Sequence, residues 1–363
     1  MMTMNGDAPE EFEYDRAKEV KEFDESKIGC KGLADSGATT IPRFFIHPPQ
    51  SLQLAQSFSF HLIPTIDLSH ADSHRRSEIV HQIREASHTW GLFQITHHGI
   101  PLCVFDDTIS AVRSFYELPT GVKSQHYCRE MGCGVSFTTS TDLYRSNAAA
   151  WRDTLQVCVG PDPPKVDLIP EVCRREVMEW DGHMRRMGKV LMGLLSEGLG
   201  LERRGLEEMT CVDASNLLVQ YYPYCPQPDL TLGIKSHTDP VMLTIVLQNQ
   251  VGGLQVKHGE EWVEVKPMHG GLVVNIGDLL QMISNDQYKS AQHRVLANPF
   301  RETRISIPVF FNPSKRGDTD FYGPLQELLS DEKPALYRNF TMGDVMGRIF
   351  SREAGNLKNY FEL

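Results

Sequence analysis

Ser236-His237-Thr238-Asp239-Pro240, with the apolar run from Val241 to Leu247 behind it, is the stretch on which the fold turns. On an extended strand, residues two apart point to the same face, so the imidazole of His237 and the carboxylate of Asp239 can converge on one cation. The spacing alone carries little weight. His70-Ala71-Asp72 repeats it in a polar stretch, and a chain with 14 histidines and 47 acidic residues is expected to hold about one such pair by chance.

The residues C-terminal to each pair separate the two. Beyond His237 and Asp239 come strand-like pieces punctuated by glycines, then Gln292-His293-Arg294-Val295 and Arg304-Ile305-Ser306. Two histidines and one carboxylate on one face of a metal, with the other face open, form the arrangement used by non-haem Fe(II) centres. Candidate strands are 216–222, 241–248, 254–257, 261–265, 272–276, 289–296 and 304–311, with glycine turns between several of them. Short strands and tight turns of this kind predict an antiparallel sandwich or jelly roll, with a ligand mouth between its sheets. Arg304 and Ser306 lie two apart on one strand face, and a hairpin is expected to join that strand to the one carrying His293. Apolar neighbours surround Arg304, and a buried guanidinium needs an anion, so a carboxylate is its expected partner. Tyr222 is placed to add a further donor.

Towards the N-terminus, residues 8–27 carry Phe12, Ala17, Val20 and Phe23 at helical spacing and predict a surface helix. Residues 29–59 read as an irregular arm in which no function is expected. Strand signals at 62–68 and 91–96 flank a helical pattern at 73–89, and another helix runs from Val104 to Leu118. His97 and His98 read as turn residues, because neighbours on a strand point to opposite faces. The segment 132–146, rich in Gly, Ser and Thr, is either a pocket-lining or a solvent loop. Residues 170–199 form the longest helical pattern, closed by Gly200, and predict a helix backing the sheet. Thr341 and Asp344 are spaced for a capping box, and the aromatic tail at 359–363 either covers the mouth or covers the sheet.

Composition bounds the class. The chain has 363 residues, 40% of them apolar, and a net charge of −11. That charge argues against a nucleic-acid partner. No apolar run is long enough to span a membrane, and the charged N-terminus lacks a secretory signal, so a cytoplasmic location is expected. Eight scattered cysteines without a C-x-x-C pair read as reduced thiols.

The stretches 221–228, Ser236-His237-Thr238-Asp239, Gly252-Gly253-Leu254-Gln255-Val256, Val273-Val274-Asn275-Ile276-Gly277-Asp278, His293-Arg294-Val295 and Arg304-Ile305-Ser306 resemble the plant 2-oxoglutarate- and Fe(II)-dependent dioxygenases. So do residues 63–68 and 90–94 near the start. The long arm, with Gly32-Leu33-Ala34-Asp35-Ser36-Gly37, and the run Ala149-Ala150-Trp151-Arg152-Asp153-Thr154-Leu155 resemble the group called 1-aminocyclopropane-1-carboxylate oxidase homologues. Gln220 departs from the usual Asn, at the co-substrate end of the pocket, and Leu92, His97 and His269 depart elsewhere.

The resemblance implies a mainly β, α+β fold with a double-stranded β-helix core. It implies an arm at 1–60, an N-terminal dioxygenase region at 61–210, the jelly-roll core at 211–320 and a helical tail or lid at 321–363. His237, Asp239 and His293 would hold Fe(II), and Arg304, Ser306 and Tyr222 the far carboxylate of 2-oxoglutarate, with ascorbate as reductant. The implied reaction hydroxylates or desaturates a small, largely apolar or aromatic specialised metabolite with O2, releasing succinate and CO2. Phe310, Phe137, Tyr144 and Phe361 are the expected substrate-facing residues, and a monomer is expected. The alternative is a catalytically silent jelly-roll protein that binds a metabolite.

Overall fold

Side chains alternate along three central strands, one set facing helices and the other facing a cavity. In the computed structural model, which describes residues 14–52, 61–130, 132–350 and 357–363, these strands are β5 (Ala214–Tyr222), β7 (Leu243–Gln248) and β12 (Arg304–Asn312). A separate two-stranded ribbon pairs β13 (Phe321–Tyr322) with β14 (Phe340–Thr341), and the remaining strands are β1 (Thr65–Asp67), β2 (Leu92–Thr96), β3 (Val135–Thr139), β4 (Asp153–Cys158), β6 (Leu232–His237), β8 (Leu254–His258), β9 (Glu261–Glu264), β10 (Leu272–Ile276) and β11 (His293–Leu296). They form an eight-stranded sheet in the order β1-β2-β10-β7-β12-β5-β4-β3 and a four-stranded sheet in the order β6-β11-β8-β9. Pairing is antiparallel except between β1 and β2. This is a jelly roll, and strands from both halves of the chain share its large sheet.

The helices are α1 (Arg16–Ser26), α2 (Gly29–Asp35), α3 (Arg76–Thr89), α4 (Leu102–Glu117), α5 (Thr120–Lys123), α6 (Arg174–Gly198), α7 (Gly205–Glu208), α8 (Asp278–Ile283), α9 (Met342–Phe350) and α10 (Leu357–Phe361). The stripe Trp180, Met184, Met187, Leu191 and Leu194 on α6 joins Leu243, Ile245, Leu247, Ile305, Ile307 and Val309 in one core. Burial of such a stripe is what holds a 25-residue helix on the sheet. The two sheets meet in a separate apolar cluster that includes Val246 and Val273 from one side and Leu254, Val256 and Val295 from the other. Among the described residues no helix is long and apolar enough to cross a membrane.

Several expectations are corrected. The strands carrying His293 and Arg304 do not form a hairpin: β11 pairs with β6 and β8, β12 with β5 and β7, so the connection crosses between sheets. The expected N-terminal helix begins at Arg16, and Phe12 lies outside the described residues. That helix is more than a surface element, because Val20 and Phe23 pack with Phe44, Phe45 and Trp151. Cys128 and Cys133 form a disulfide where free thiols were expected; their Cα atoms lie 6.8 Å apart, within bridging reach. The other six cysteines are free.

The arm is anchored by a buried carboxylate. Asp153 accepts hydrogen bonds from the backbone N–H groups of Cys30 and Lys31, both at 2.9 Å, at the start of α2. Thr139 donates to the same carboxylate at 2.6 Å. An added Cβ at Gly29, whose φ is +70°, would stand 2.6 Å from Asp153 Oδ1, so only glycine lets the arm approach this closely. At the other end of the chain, Thr341 and Asp344 exchange the two hydrogen bonds of a capping box.

Candidate active site

His237 ends β6 and His293 opens β11, and the two are register partners on adjacent strands. Their rings lie 4.2 Å apart between centroids. Asp239 sits past the end of β6, on the turn that leads into β7, so it reaches the histidines through that turn and not by strand alternation. Its Oδ1 is 3.6 Å from Nε2 of each histidine. Its other oxygen, Oδ2, accepts from Thr244 Oγ1 at 2.8 Å and from Asn275 Nδ2 at 3.1 Å, which fixes the carboxylate's orientation.

Both imidazoles are fixed as well. Nδ1 of His237 lies 2.9 Å from the Lys235 carbonyl, and Nδ1 of His293 lies 3.1 Å from the Ala291 carbonyl. A carbonyl can only accept, so each Nδ1 carries the proton and each Nε2 turns a lone pair towards Asp239. Burial, and after it the neighbouring His293, push His237 down to about 4, which keeps it neutral near pH 7. Burial pushes Asp239 up, but the two imidazoles and the donors Asn275 and Thr244 outweigh it and hold the carboxylate below its usual range. The three side chains bring one ligand atom each to within 4.8 Å of one another. Two neutral nitrogens and one carboxylate oxygen, open on the cavity side, are a donor set that suits a ferrous ion. The decoy His70-Ala71-Asp72 does nothing of the kind, since Asp72 pairs with Arg76 and Arg203.

The cavity between the sheets, about 380 Å³, is lined by all three of these residues and by Arg304, Ser306, Tyr222 and Phe310. Arg304 is 1% exposed, and its Nη1 donates to the Val251 carbonyl at 3.1 Å. Among the described residues its Nε has no hydrogen-bond partner, nor has the buried hydroxyl of Tyr222, the residue opposite it on β5. A guanidinium donor and a phenol left open side by side suit a carboxylate entering from the cavity. Gly233 makes room for this pair: a Cβ there would lie 2.8 Å from the Tyr222 ring. Gln220 also lines the cavity, where it accepts from Thr154 at 2.8 Å.

Three expected substrate-facing residues lie elsewhere. Phe137 is buried on the helix side against Phe115 and Tyr116. Tyr144 is 52% exposed and donates to Asp24 at 3.0 Å, tying its loop to α1. Phe361 packs on Phe340 in the helix-side core and does not line the cavity. Each is an aromatic whose local pattern does not say which of two apolar regions it enters. The segment 132–146, expected to be a loop, instead holds strand β3, and the turn after that strand contributes Thr141 and Asp142 to the cavity wall.

Of the cavity residues that the sequence reading did not assign, four bear most on the site. Thr244 and Asn275 orient Asp239, and their signal was a lone polar residue on the inward face of an otherwise apolar strand. Arg152 and His47 line the cavity too, and His47 comes from the arm where no function was expected. Its Nε2 lies 3.2 Å from the Ala149 carbonyl. No periodicity in the arm marks it.

Comparison with known proteins agrees with this geometry. Residues 214–313 match the 2OG-Fe(II) oxygenase superfamily, and residues 63–172 match the N-terminal region described as non-haem dioxygenase in morphine synthesis. The 1-aminocyclopropane-1-carboxylate oxidase homolog 1 of Arabidopsis thaliana is 44% identical, over 93% of this chain and 94% of its own. A homologue from Solanum lycopersicum is 42% identical, over 94% and 95%. Among solved structures, JOX2 in complex with 2OG, Fe and JA superposes with a TM-score of 0.80 at 29% identity, covering 92% of this chain and 97% of that one. The rice dioxygenase for auxin oxidation gives a TM-score of 0.70 at 25% identity, covering 83% and 100%. With the ligand set, the open guanidinium nitrogen of Arg304 and the jelly roll all pointing the same way, the chain belongs to the 2OG-Fe(II) oxygenase superfamily, in the plant group of 1-aminocyclopropane-1-carboxylate oxidase homologues.

Proposed function

We propose that the enzyme oxidises a C–H bond of a small, largely apolar or aromatic specialised metabolite, with His237, Asp239 and His293 holding Fe(II) and Arg304, Ser306 and Tyr222 holding 2-oxoglutarate. The observation that carries this reading is the meeting of three ligand atoms in the wall of a cavity that also presents a buried, partnerless guanidinium nitrogen. Bound together, the ferrous ion and 2-oxoglutarate supply the oxidation of the substrate by O2, one oxygen atom ending in succinate and the other in the hydroxylated product, or in water where a double bond forms.

The chain's own residues supply position and dryness. Thr244 and Asn275 aim Asp239, and the two backbone carbonyls keep both Nε2 lone pairs directed inward. Arg304 and Tyr222 grip the distal carboxylate, which fixes the co-substrate's register against the ligand set. Leu218, Ile234, Val246, Pro308 and Phe310 offer apolar walls, which favour an organic substrate with little polar surface. The neighbours named for JA and for auxin oxidation likewise handle small organic molecules. Ascorbate is the proposed reductant, the cytoplasm the proposed site of action, and a monomer the proposed state. A silent binding protein is the weaker reading, because every position needed for turnover is filled.

The test is succinate release from 2-oxoglutarate by the anaerobically purified chain given Fe(II), ascorbate, O2 and fractions of plant metabolites. Succinate formation that rises with one fraction, together with a product heavier by one oxygen or lighter by two hydrogens, is the expected result. Uncoupled or absent succinate with every fraction would oppose it.

A further inference from the structure

We propose that Arg152 is a second anion-binding arginine of the cavity, and that the substrate carries a carboxylate which this guanidinium holds. The inference rests on the oxygenase reading and deepens it by naming one functional group of the substrate.

Arg152 is 8% exposed, lines the cavity, and leaves Nε without a hydrogen-bond partner. The guanidinium's hydrogen bond is a long one, from Nη2 to Thr141 Oγ1 at 3.4 Å. The charges around it are already committed. Lys235 Nζ lies 3.3 Å from Asp142 Oδ2, and Asp142 also accepts from Ser140 at 3.0 Å. Asp239 is held by Thr244, Asn275 and the two histidines. Among the described residues no carboxylate lies within 4 Å of the Arg152 guanidinium. Asp142 feels the charge of Arg152 but is the ion-pair partner of Lys235, so two cations share this one carboxylate, and a cavity wall with such a deficit is completed by an anion from outside. Arg152, Lys235 and Asp142 together carry one net positive charge, which matches a carboxylate better than a phosphate dianion.

This guanidinium is distinct from the one assigned to 2-oxoglutarate. Arg304 lies on β12 opposite Tyr222 of β5, whereas Arg152 immediately precedes β4 on the far side of β5. The Tyr222 strand stands between them. Arg152 instead lines the same cavity as His237, Asp239 and His293, which puts its anion in the space those three residues face. The arm explains how a long side chain keeps this direction. Trp151 is packed edge-on against Phe45, and Asp153 is clamped by the N–H groups of Cys30 and Lys31, so Arg152 is held between two anchored residues. His47, delivered by the same arm, closes the wall next to it. Such support is what a recognition residue needs to be selective.

The test uses the full chain loaded with Fe(II) and 2-oxoglutarate under anaerobic conditions. It is titrated calorimetrically with aryl- and alkylcarboxylic acids of graded length, each paired with its methyl ester. The expected result is that the best acids bind about 10-fold or more tighter than their esters, as the loss of a charged hydrogen bond requires. Arg152→Gln should erase that preference, Arg152→Lys should keep part of it, and neither should change 2-oxoglutarate affinity or the thermal midpoint. Succinate release after O2 is admitted to the same samples reports the oxygenase reading separately. The proposal is overturned if no acid binds, if acids and esters bind alike, if the preference survives Arg152→Gln, or if that variant weakens 2-oxoglutarate instead.

Discussion

Tyr221 and Tyr222 are neighbours on one strand, both buried, and they live under opposite rules. Tyr221 faces the helices and donates its hydroxyl to Glu117 at 2.8 Å. Tyr222 faces the cavity, and its hydroxyl has no partner. The same division runs along β12, where Ile305, Ile307, Val309 and Phe311 join the helix-side core while Arg304, Ser306, Pro308 and Phe310 line the cavity. One face of the sheet is packed by the rules of a core, almost entirely with apolar side chains. The other leaves costly polar atoms open, and that is tolerable only where a ligand completes them.

Substitutions on each face can tell the two apart. On the cavity face, Asp239→Ala should reduce succinate release to the level without enzyme, because no other described carboxylate stands in this cluster. Also on that face, Arg304→Met should raise the KM for 2-oxoglutarate by about 100-fold or more, since losing one partner of a buried charged pair costs about 3–5 kcal/mol. Urea unfolding of that variant should change little. Ile307→Ala, one strand position from the cavity side, should show the reverse: about 3 kcal/mol lost in urea unfolding, with the KM for 2-oxoglutarate unchanged. If both variants lowered stability and affinity together, the two faces would not be separable.

The smallest effect concerns a satisfied polar group. Burial pushes Asp286 up, but Tyr337, Lys289 and Gln281 donate to it and hold its carboxyl below the usual range. A depressed carboxyl contributes stability above its unfolded pKa and loses it as pH falls through the folded value. Asp286→Asn should therefore cost about 1 kcal/mol in urea unfolding at pH 7, and the gap to the unaltered chain should close as the pH is lowered below the ordinary carboxylate range.

Much of the division was legible beforehand, because alternation with period two is written directly in residues such as those of β5, β7 and β12. The ligand set was legible from its motif and the strands that follow it, although Asp239 joins the histidines through a turn, and the helix behind the sheet from its spacing of three or four residues. What could not be read depends on partners far along the chain. A seven-residue connection at 297–303 serves a hairpin or a crossover equally well, so the sheets of β11 and β12 stayed ambiguous. Phe137 and Phe361 are apolar in pattern, and pattern does not choose between the helix-side core and the cavity. The arm's role rests on contacts such as Asp153 with Cys30 and Lys31, more than a hundred residues apart, which leave no periodic trace.

Whether His237, Asp239 and His293 share one ferrous ion in front of Arg304 is tested most directly by anaerobic equilibrium dialysis of the purified chain against Fe(II) and labelled 2-oxoglutarate. One ferrous ion per chain is expected, with loss of that ion in Asp239→Ala and His293→Ala, and an Arg304→Met variant that keeps the ion but releases 2-oxoglutarate. Retention of the ion at full stoichiometry by Asp239→Ala, or 2-oxoglutarate binding indifferent to Arg304, would contradict it.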